Sequence, residues 1–141
     1  MIILDTNVIS EFLRPEPSHS VREWLDAQTA IEVTTTAITV AELRLGVMRL
    51  PDGARRREIE RGVDQALDLF RGRILPFDER AATIYADIVA TRDARGRPIS
   101  AADAQIAAIA LSQRGALATR NTRDFEHLDL ELIDPWTVAQ P

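Results

Sequence analysis

The sequence predicts an α/β fold of three layers, in which a central parallel sheet is flanked by helices. Short apolar or β-rich runs alternate along the chain with longer segments whose apolar residues recur at helical spacing. Strands that alternate with helices form a parallel sheet that is covered on both faces. The chain has 141 residues and no repeat, low-complexity tract or linker, so we expect a single domain over residues 1–141.

Five short runs of the sequence predict strands. The first consists of Ile2, Ile3 and Leu4 and ends at an acid, Asp5. Uninterrupted apolar runs are typical of strands that are buried on both faces. The predicted strands cover residues 2–5, 32–35, 73–77, 116–119 and 131–133.

The remaining segments predict helices, and several of them have recognisable ends. Thr36, Asp78 and Ser100 each precede such a segment and can cap its first turn. Gly96 and Gly115 follow two of the segments, as glycine often does at the end of a helix. A helix is expected after the first strand, and further helices are predicted over residues 18–28, 36–50, 54–72, 78–95 and 100–114.

The composition excludes several classes of site. The absence of cysteine removes disulfides, thiolate nucleophiles and cysteine-ligated zinc. The two histidines, His19 and His127, match no zinc-ligand spacing. No apolar run approaches the roughly 20 residues that cross a bilayer, and the first residues lack the basic start of a secretory leader. These features favour a cytoplasmic protein.

The net charge of −5 argues against a nucleic-acid partner, because proteins that bind polyanions are usually basic. However, all 17 positive side chains are arginines, which grip phosphate through a planar fork. For most of them, an ordinary solvated helix face is the favoured interpretation. The clusters are Arg55, Arg56, Arg57 and Arg61, then Arg71 and Arg73, then Arg92, Arg95 and Arg97.

Three acids occupy apolar positions, where a charged side chain is unexpected unless it has a structural or functional role. Asp5 ends an apolar strand, where desolvation is costly unless the carboxylate meets donors or a cation. Glu42 has Ile38 and Leu45 on its own helical stripe, which predicts an inward-facing side chain. Asp103 shares a helix face with small apolar residues, which leaves room for an ion or a ligand.

Each of these acids also has a purely structural interpretation. Asp5 can cap the helix that follows it. Glu42 can pair with Arg49 or lie exposed at the edge of its stripe. Asp103 can complete a capping box that begins at Ser100.

Two further polar residues follow the strand predicted over residues 116–119. Asn121 lies two residues after the end of this strand, and Asp124 lies three residues after Asn121. Ligands bind at the carboxyl ends of parallel strands, so Asn121 is a candidate site residue. The structural alternative is a turn, which asparagine and aspartate favour through local hydrogen bonds.

Six segments carry a resemblance to a known family. They span nearly the whole chain and follow one another in the order expected for that family. They are ILDTNVISE at 3–11, AITVAELRLG at 37–46, RILPFD at 73–78, AAD at 101–103, ATRN at 118–121 and DPW at 134–136. With these segments the chain resembles the PIN-domain ribonuclease toxins of type II toxin–antitoxin systems. It is similar to the VapC family, and especially to its FitB-like subgroup.

The resemblance implies a PIN-like domain in which Asp5, Glu42 and Asp103 form an acidic metal site that Thr6 supports by hydrogen bonding. Asn121 departs from the FitB-like pattern, which usually carries a fourth acid at that position. The number of metal ions, one or two, is therefore open. So is the question of whether Asp124 takes part or Asn121 only orients water.

The resemblance implies a nuclease, and the chemistry of the acids predicts that it depends on Mg²⁺, with Mn²⁺ as a substitute. Crowded carboxylates need a cation between them, and hard oxygen ligands select these ions. The ion would polarise the scissile phosphate and lower the pKa of a bound water. Asp5 and Asp103 would hold the ion directly or through water, and Glu42 would complete the shell or accept a proton. Arg120 and Arg44 are candidates for holding flanking phosphates.

The resemblance also implies protein partners. A small VapB- or FitA-like antitoxin would block the pocket by inserting a basic residue, and operator DNA would be bound only through the antitoxin. The chain is expected to form a homodimer, and a larger toxin–antitoxin assembly is an extension of this. Val40, Leu43 and Val47 either join two copies or simply pack on the sheet.

The sequence leaves three alternatives to this function open. The first is an aspartate-nucleophile phosphatase with Asp5 as the nucleophile, although such enzymes usually have a second acid where this chain has Asn7. The second is a binding module that holds nucleic acid or a protein partner without cleaving it. The third is a nuclease that acts on DNA, because only the resemblance favours RNA.

Overall fold

The centre of the molecule is a four-stranded sheet in which all neighbouring strands are parallel. The strands are β1 (Ile2–Leu4), β2 (Val33–Thr35), β3 (Ala116–Ala118) and β4 (Leu132–Ile133), in the order β2-β1-β3-β4. The computed structural model describes residues 1–138, so the last three residues of the predicted domain lie outside this range.

Six helices in the described residues surround this sheet. They are α1 (Thr6–Phe12), α2 (His19–Asp26), α3 (Ala37–Met48), α4 (Ala54–Asp68), α5 (Glu79–Ala94) and α6 (Ala101–Gln113). Two 3₁₀ turns lie at Ala30–Glu32 and Thr122–Phe125. Within residues 1–138, no helix has both the length and the apolar character that crossing a bilayer demands.

A separate hydrophobic core lies on each face of the sheet. Because successive side chains of a strand point to opposite faces, Leu4 packs with residues of α1 to α4, whereas Ile3 packs with residues of α5 and α6. Leu117 of β3 belongs to the same core as Ile3. The prediction of three layers is therefore confirmed.

The predicted helix caps at Thr36, Asp78 and Ser100 are confirmed. In each case the side chain accepts a hydrogen bond from the backbone N–H three residues further on. Gly96, with a φ of 66°, follows the end of α5 as expected. At the end of α6 the left-handed residue is Arg114, with a φ of 54°, and not the glycine that follows it.

The strand predicted over residues 73–77 is wrong. Only Leu75 joins the sheet, through an isolated parallel bridge to Thr36 beside β2. Its N–H donates to the carbonyl oxygen of Thr35 and its carbonyl accepts from the N–H of Ala37. Pro76 has no N–H, so the ladder does not continue beyond this residue.

One face of α3 packs inward. Leu43 and Val47 are buried in the core and Val40 packs against it, so for these three the interpretation as packing residues is correct. The opposite side of α3 exposes other apolar side chains, with Leu45 at 48% and Met48 at 64% exposure.

Arg73 connects three separate parts of the chain on the β2 side of the sheet. Its guanidinium donates to the carbonyl oxygens of Ala30 at 2.8 Å, Val33 at 2.9 Å and Leu69 at 2.7 Å. It also lies over the Phe70 ring, 5.9 Å from the centroid. This side chain therefore joins the start of β2 to the end of α4.

We expect Arg73→Ala to lower the free energy of unfolding by about 2 kcal/mol, because three carbonyl groups lose a charged donor. Arg71→Ala is the matched control. Within residues 1–138 Arg71 pairs with Asp68 alone, and the two side chains are 80% and 61% exposed, so its loss should change stability by less than about 0.5 kcal/mol. Urea denaturation of both variants measures the difference, and equal effects would contradict the proposed connection.

Candidate active site

The strand register brings distant polar residues together at the carboxyl edge of the sheet. Leu4 of β1 lies opposite Ala118 of β3, so the residues that follow these two, Asp5 and Thr119, are neighbours. The backbone N–H of Asp5 donates to the carbonyl oxygen of Ala118 at 2.9 Å. This edge is where open parallel sheets bind their ligands.

Asp5 is only 4% exposed and both of its carboxylate oxygens accept hydrogen bonds. Oδ1 accepts from the backbone N–H of Thr6 at 2.7 Å, and Oδ2 accepts from the hydroxyl of Thr119 at 2.7 Å. The side-chain amide of Asn7 lies 3.4 Å from Oδ2. Asp5 is also the N-cap of α1, so the capping role and the site position belong to the same residue.

The environment of Asp5 favours its neutral form. Burial raises the pKa of Asp5 from 3.8 to about 6, against the hydrogen bonds from Thr119 and Thr6, which lower it. The negative charges of Asp103 and Glu42 raise the pKa further. The carboxylate is therefore held in a place where a positive charge would stabilise its ionised form.

Glu42 reaches the same site from α3. Its Oε1 accepts a hydrogen bond from the hydroxyl of Thr6 at 2.6 Å, and the Thr6 oxygen lies 3.1 Å from that of Thr39. Thr6 therefore supports the site by hydrogen bonding, as the resemblance implied. Within residues 1–138 no ion pair involves Glu42, so the alternative pairing with Arg49 is wrong.

The prediction that Glu42 faces inward is also wrong. Glu42 is exposed, and Leu45 on the same stripe is 48% exposed. Of the two structural alternatives, exposure at the edge of the stripe is the correct one. Its side chain lies at the mouth of the cleft, where water can reach it.

Asp103 is half-buried in the first turn of α6. Burial raises its pKa, hydrogen bonding with the side chain of Ser100 lowers it, and the charges of Asp124 and Glu42 raise it. The backbone N–H of Asp103 donates to the hydroxyl of Ser100 at 3.2 Å, so this residue also belongs to the helix cap. As at Asp5, the cap and the acidic site coincide.

These side chains line one cleft with a volume of about 440 Å³. Asn121 lines it too, and Arg120 lies at its wall with its guanidinium 5.1 Å from the centre of the Trp136 ring. The lining consists of Asp5, Thr6, Asn7, Ser10, Glu11, Arg14, Glu42, Asp103, Arg120, Asn121 and Trp136. The predicted residues thus meet in one place.

Two residues considered from the sequence lie elsewhere. Arg44 pairs with Asp64 and does not belong to the described lining of this cleft, so only Arg120 of the two candidate arginines is at the rim. Asp124 lines an adjoining cavity and does not enter the cleft itself. Its negative charge still raises the pKa of Asp103.

Sequence reasoning missed the hydrogen-bonding roles of Asn7 and Thr119. The Asn7 amide group lies 3.2 Å from Thr119 Oγ1, and its carbonyl oxygen accepts from the backbone N–H of Arg120 at 3.2 Å. Thr119 is fully buried and also accepts from the backbone N–H of Asn121 at 3.1 Å. Asn7 lies two residues after the acid that ends the first predicted strand, and Thr119 is the last residue of the strand predicted over 116–119, so their positions at strand ends were the available signal.

The donor set fits a divalent cation. Asp5, Glu42 and Asp103 are hard oxygen ligands, and their mutual repulsion is part of what raises the pKa of Asp5. In the described residues no three acidic or histidine side chains are grouped closely enough to surround one ion. A cation in this cleft would therefore complete its coordination with water.

A larger cavity of about 900 Å³ lies elsewhere, between α1 and α4. Its lining is mainly apolar and includes Ile9, Phe12 and Phe70, with Glu58 as an acid. Because it gathers no group of carboxylates, the smaller polar cleft is the candidate active site.

Comparison with known proteins gives consistent matches. A family model described as PIN domain matches residues 2–131. The toxin FitB of Neisseria gonorrhoeae is 48% identical over 137 residues, which are 96% of this chain and 99% of that protein. The VapC ribonuclease Y4jK of Sinorhizobium fredii is 44% identical over 99% of this chain and 100% of its own length. A solved structure of FitAB bound to a DNA fragment contains a chain that superposes with a TM-score of 0.91 at 46% identity, covering 99% of each chain.

We expect the metal-free protein to lose stability as the pH rises from about 4 to about 6. The folded state keeps a proton on Asp5 up to a pKa of about 6, whereas the unfolded chain releases it near 3.8. Folding therefore takes up a proton in this window, and the free energy of unfolding falls with pH by at most about 3 kcal/mol. Urea denaturation in excess chelator at a series of pH values measures this change.

Asp5→Asn should remove most of that pH dependence, because the variant has no proton to release at this position. Asp87→Asn, which changes an exposed aspartate on α5, should keep the dependence of the unchanged protein. An Asp5→Asn variant with an undiminished slope between pH 4 and pH 6 would show that the burial of Asp5 is not its cause.

Proposed function

Since this chain belongs to the PIN-domain family of VapC- and FitB-type toxins, we propose that it is the toxin of a type II toxin–antitoxin pair. It is a metal-dependent endoribonuclease that cleaves phosphodiester bonds of RNA. The observation that carries this function is the convergence of Asp5, Glu42 and Asp103 on one cleft at the carboxyl edge of the sheet. We assign residues 1–141 to a single domain of this family.

PIN-domain nucleases generally use divalent metal ions, and for this chain we propose Mg²⁺ with Mn²⁺ as a substitute. Asp5 and Asp103 would hold the ion, directly or through water. When bound, the ion supplies positive charge to the phosphate oxygens and lowers the pKa of a coordinated water. Asp5 suits this role because its carboxylate is fixed by the N–H of Thr6 and the hydroxyl of Thr119.

Glu42 is the proposed proton acceptor for the attacking water. It lies at the mouth of the cleft, and the hydroxyl of Thr6 fixes one of its oxygens, which leaves the other oxygen for water. Asn121 contributes a neutral carbonyl oxygen or an amide to the same cleft. We assign it to the orientation of water, because it brings no charge for a second ion.

The residue types beside Asp5 disfavour a phosphatase mechanism. An aspartate nucleophile of this kind usually works with a second acid two residues later. The residue two positions later is Asn7, whose amide is used to connect Asp5, Thr119 and Arg120. This amide provides no second acid to protonate a leaving group.

We propose RNA as the substrate because relatives at 44% and 28% identity are named as a VapC ribonuclease and a tRNA(fMet)-specific endonuclease. RNA is met in the cytoplasm, where we propose that the protein acts. A FitA- or VapB-like antitoxin is the proposed partner, since similar chains occur in complexes named FitAB and VapBC bound to DNA. Operator DNA would be contacted through the antitoxin, and two copies of this chain would pair within the assembly.

We expect Asp5→Asn and Asp103→Asn to abolish RNA cleavage while the fold persists. Glu42→Gln should lower the rate by about a hundredfold or more, because the proton acceptor is lost. Asp93→Asn, which changes an exposed residue of α5, is the matched control and should cleave at the normal rate. Gel assays on total RNA, with circular dichroism of each variant, measure both properties. Full activity in Asp103→Asn would rule out its assignment as a metal ligand.

We also expect excess chelator to stop cleavage and added Mg²⁺ or Mn²⁺ to restore it. Ca²⁺ takes more oxygen ligands than Mg²⁺, and the proposed ligands here are two carboxylates, so Ca²⁺ should restore less activity. Isothermal titration of the metal-free protein with Mg²⁺ gives the number of ions bound, and one ion is expected with Asn121 present. Cleavage that continues unchanged in chelator would overturn the metal-dependent mechanism.

A further inference from the structure

A second cavity, with a volume of about 450 Å³, adjoins the carboxylate cleft, and Asp103 lines both. Its walls come from the end of α5, the loop to α6, the first turn of α6, and the 3₁₀ turn at Thr122–Phe125 with the two residues after it. Its positively charged side chains are Arg92, Arg95, Arg97 and Arg123. Cations from two separate parts of the chain therefore meet beside the proposed metal site.

Arg92 builds this cavity and is not free to bind a ligand. One guanidinium nitrogen donates to the carbonyl oxygens of Asp124 at 2.6 Å and Glu126 at 3.3 Å, and the other donates to that of Arg97 at 3.3 Å. These bonds join the end of α5 to the segment that follows β3. They fix the distance between the two walls that carry the other arginines.

Arg95, Arg97 and Arg123 have a different character. All three are exposed, and within residues 1–138 their side chains make no ion pair and no hydrogen bond. This sets them apart from Arg44, Arg71 and Arg73, which are bound to protein oxygens. Their guanidinium groups keep their donors for an external acceptor.

The local charge also differs from that of the whole chain. Four arginines face three acids, Asp103, Asp124 and Glu126, in a protein whose net charge is −5. Asp103 is shared with the acidic cleft, where a bound cation would neutralise it. The cavity then becomes the more positive of the two adjoining spaces.

We propose, on the premise of the nuclease function above, that this cavity binds the RNA backbone phosphate next to the scissile one. An RNA strand that places one phosphate at Asp5 and Asp103 must continue past the edge of the cleft. At Asp103 this edge opens onto the cavity that is lined by Arg95, Arg97 and Arg123. Planar guanidinium groups suit a phosphodiester, which offers two oxygens side by side. Such contacts hold the strand in register and read no base.

The test uses two variants that remove positive charge from the cavity. One is the double substitution Arg95→Gln and Arg97→Gln, and the other is Arg123→Gln alone. The matched control is Arg57→Gln with Arg80→Gln, which removes the same charge from exposed positions that line neither space. Arg92 is left intact because it holds the walls together. Thermal unfolding should give equal midpoints for the cavity and control variants, since none of the changed side chains binds another described residue.

Binding is measured by fluorescence anisotropy with a labelled single-stranded RNA of mixed sequence, in an Asp5→Asn background that does not cleave it. At moderate salt the dissociation constant of the double cavity variant should exceed that of its control by about five- to tenfold. The slope of log Kd against log salt should fall by about 0.7 for the lost phosphate contact. In chains with Asp5 intact, KM for RNA should rise similarly, while kcat stays within about twofold.

Other results overturn the proposal in distinguishable ways. Equal Kd, salt slope and KM in cavity and control variants would reject the phosphate site and leave the nuclease function standing. Absence of metal-dependent cleavage by the unchanged chain would reject the nuclease function, and this proposal with it. Weaker binding of the antitoxin with unchanged RNA binding would assign the cavity to the protein partner, and so reject the RNA site.

Discussion

The desolvation of Asp5 is the constraint on which the arrangement of the site depends. A carboxylate that is 4% exposed persists only where donors replace the lost water, and here they come from residues that lie next to it and from Thr119, 114 positions away. These donors meet only if β3 ends beside β1 and α1 begins directly after β1. The same register places Arg120 and Asn121 at the cleft. The position of Asp5 and its donors therefore depends on the pairing of the strands.

Most of the fold could be predicted because its signals are local. The side chains of Thr36, Asp78 and Ser100 cap helices by bonding to the backbone three residues ahead. The apolar runs that begin at Ile2 and Ala116 are too hydrophobic for exposed segments. The segment over residues 73–77 was predicted wrongly, although Pro76 was a signal against a strand in the sequence itself. Its composition resembles that of a strand, but the absent N–H of Pro76 and the bonds of the Arg73 side chain end the pairing after one bridge.

The candidate site was predicted less completely than the fold. Asp5, Glu42, Asp103 and Asn121 line one cleft as expected, since strand ends and helix starts meet at one edge of a parallel sheet. The orientation of Glu42 was wrong because helical periodicity locates a face only to within about one residue, and the bond from Thr6 decides the rest. Contacts such as the one between Asn7 and Thr119 join residues 112 positions apart, and no spacing along a single sequence reports them.

The pairing of β1 with β3 has a consequence for the biosynthesis of such a protein. Residues 2–4 form a central strand, but one of their two neighbours, residues 116–118, is translated more than a hundred codons later. A nascent chain on the ribosome therefore lacks both the partner strand and Thr119 until synthesis is nearly finished. Contacts this distant in sequence also form slowly. Unfinished chains therefore lack the complete cleft, because Asp103 and the hydrogen bond from Thr119 to Asp5 are added only near the end of synthesis.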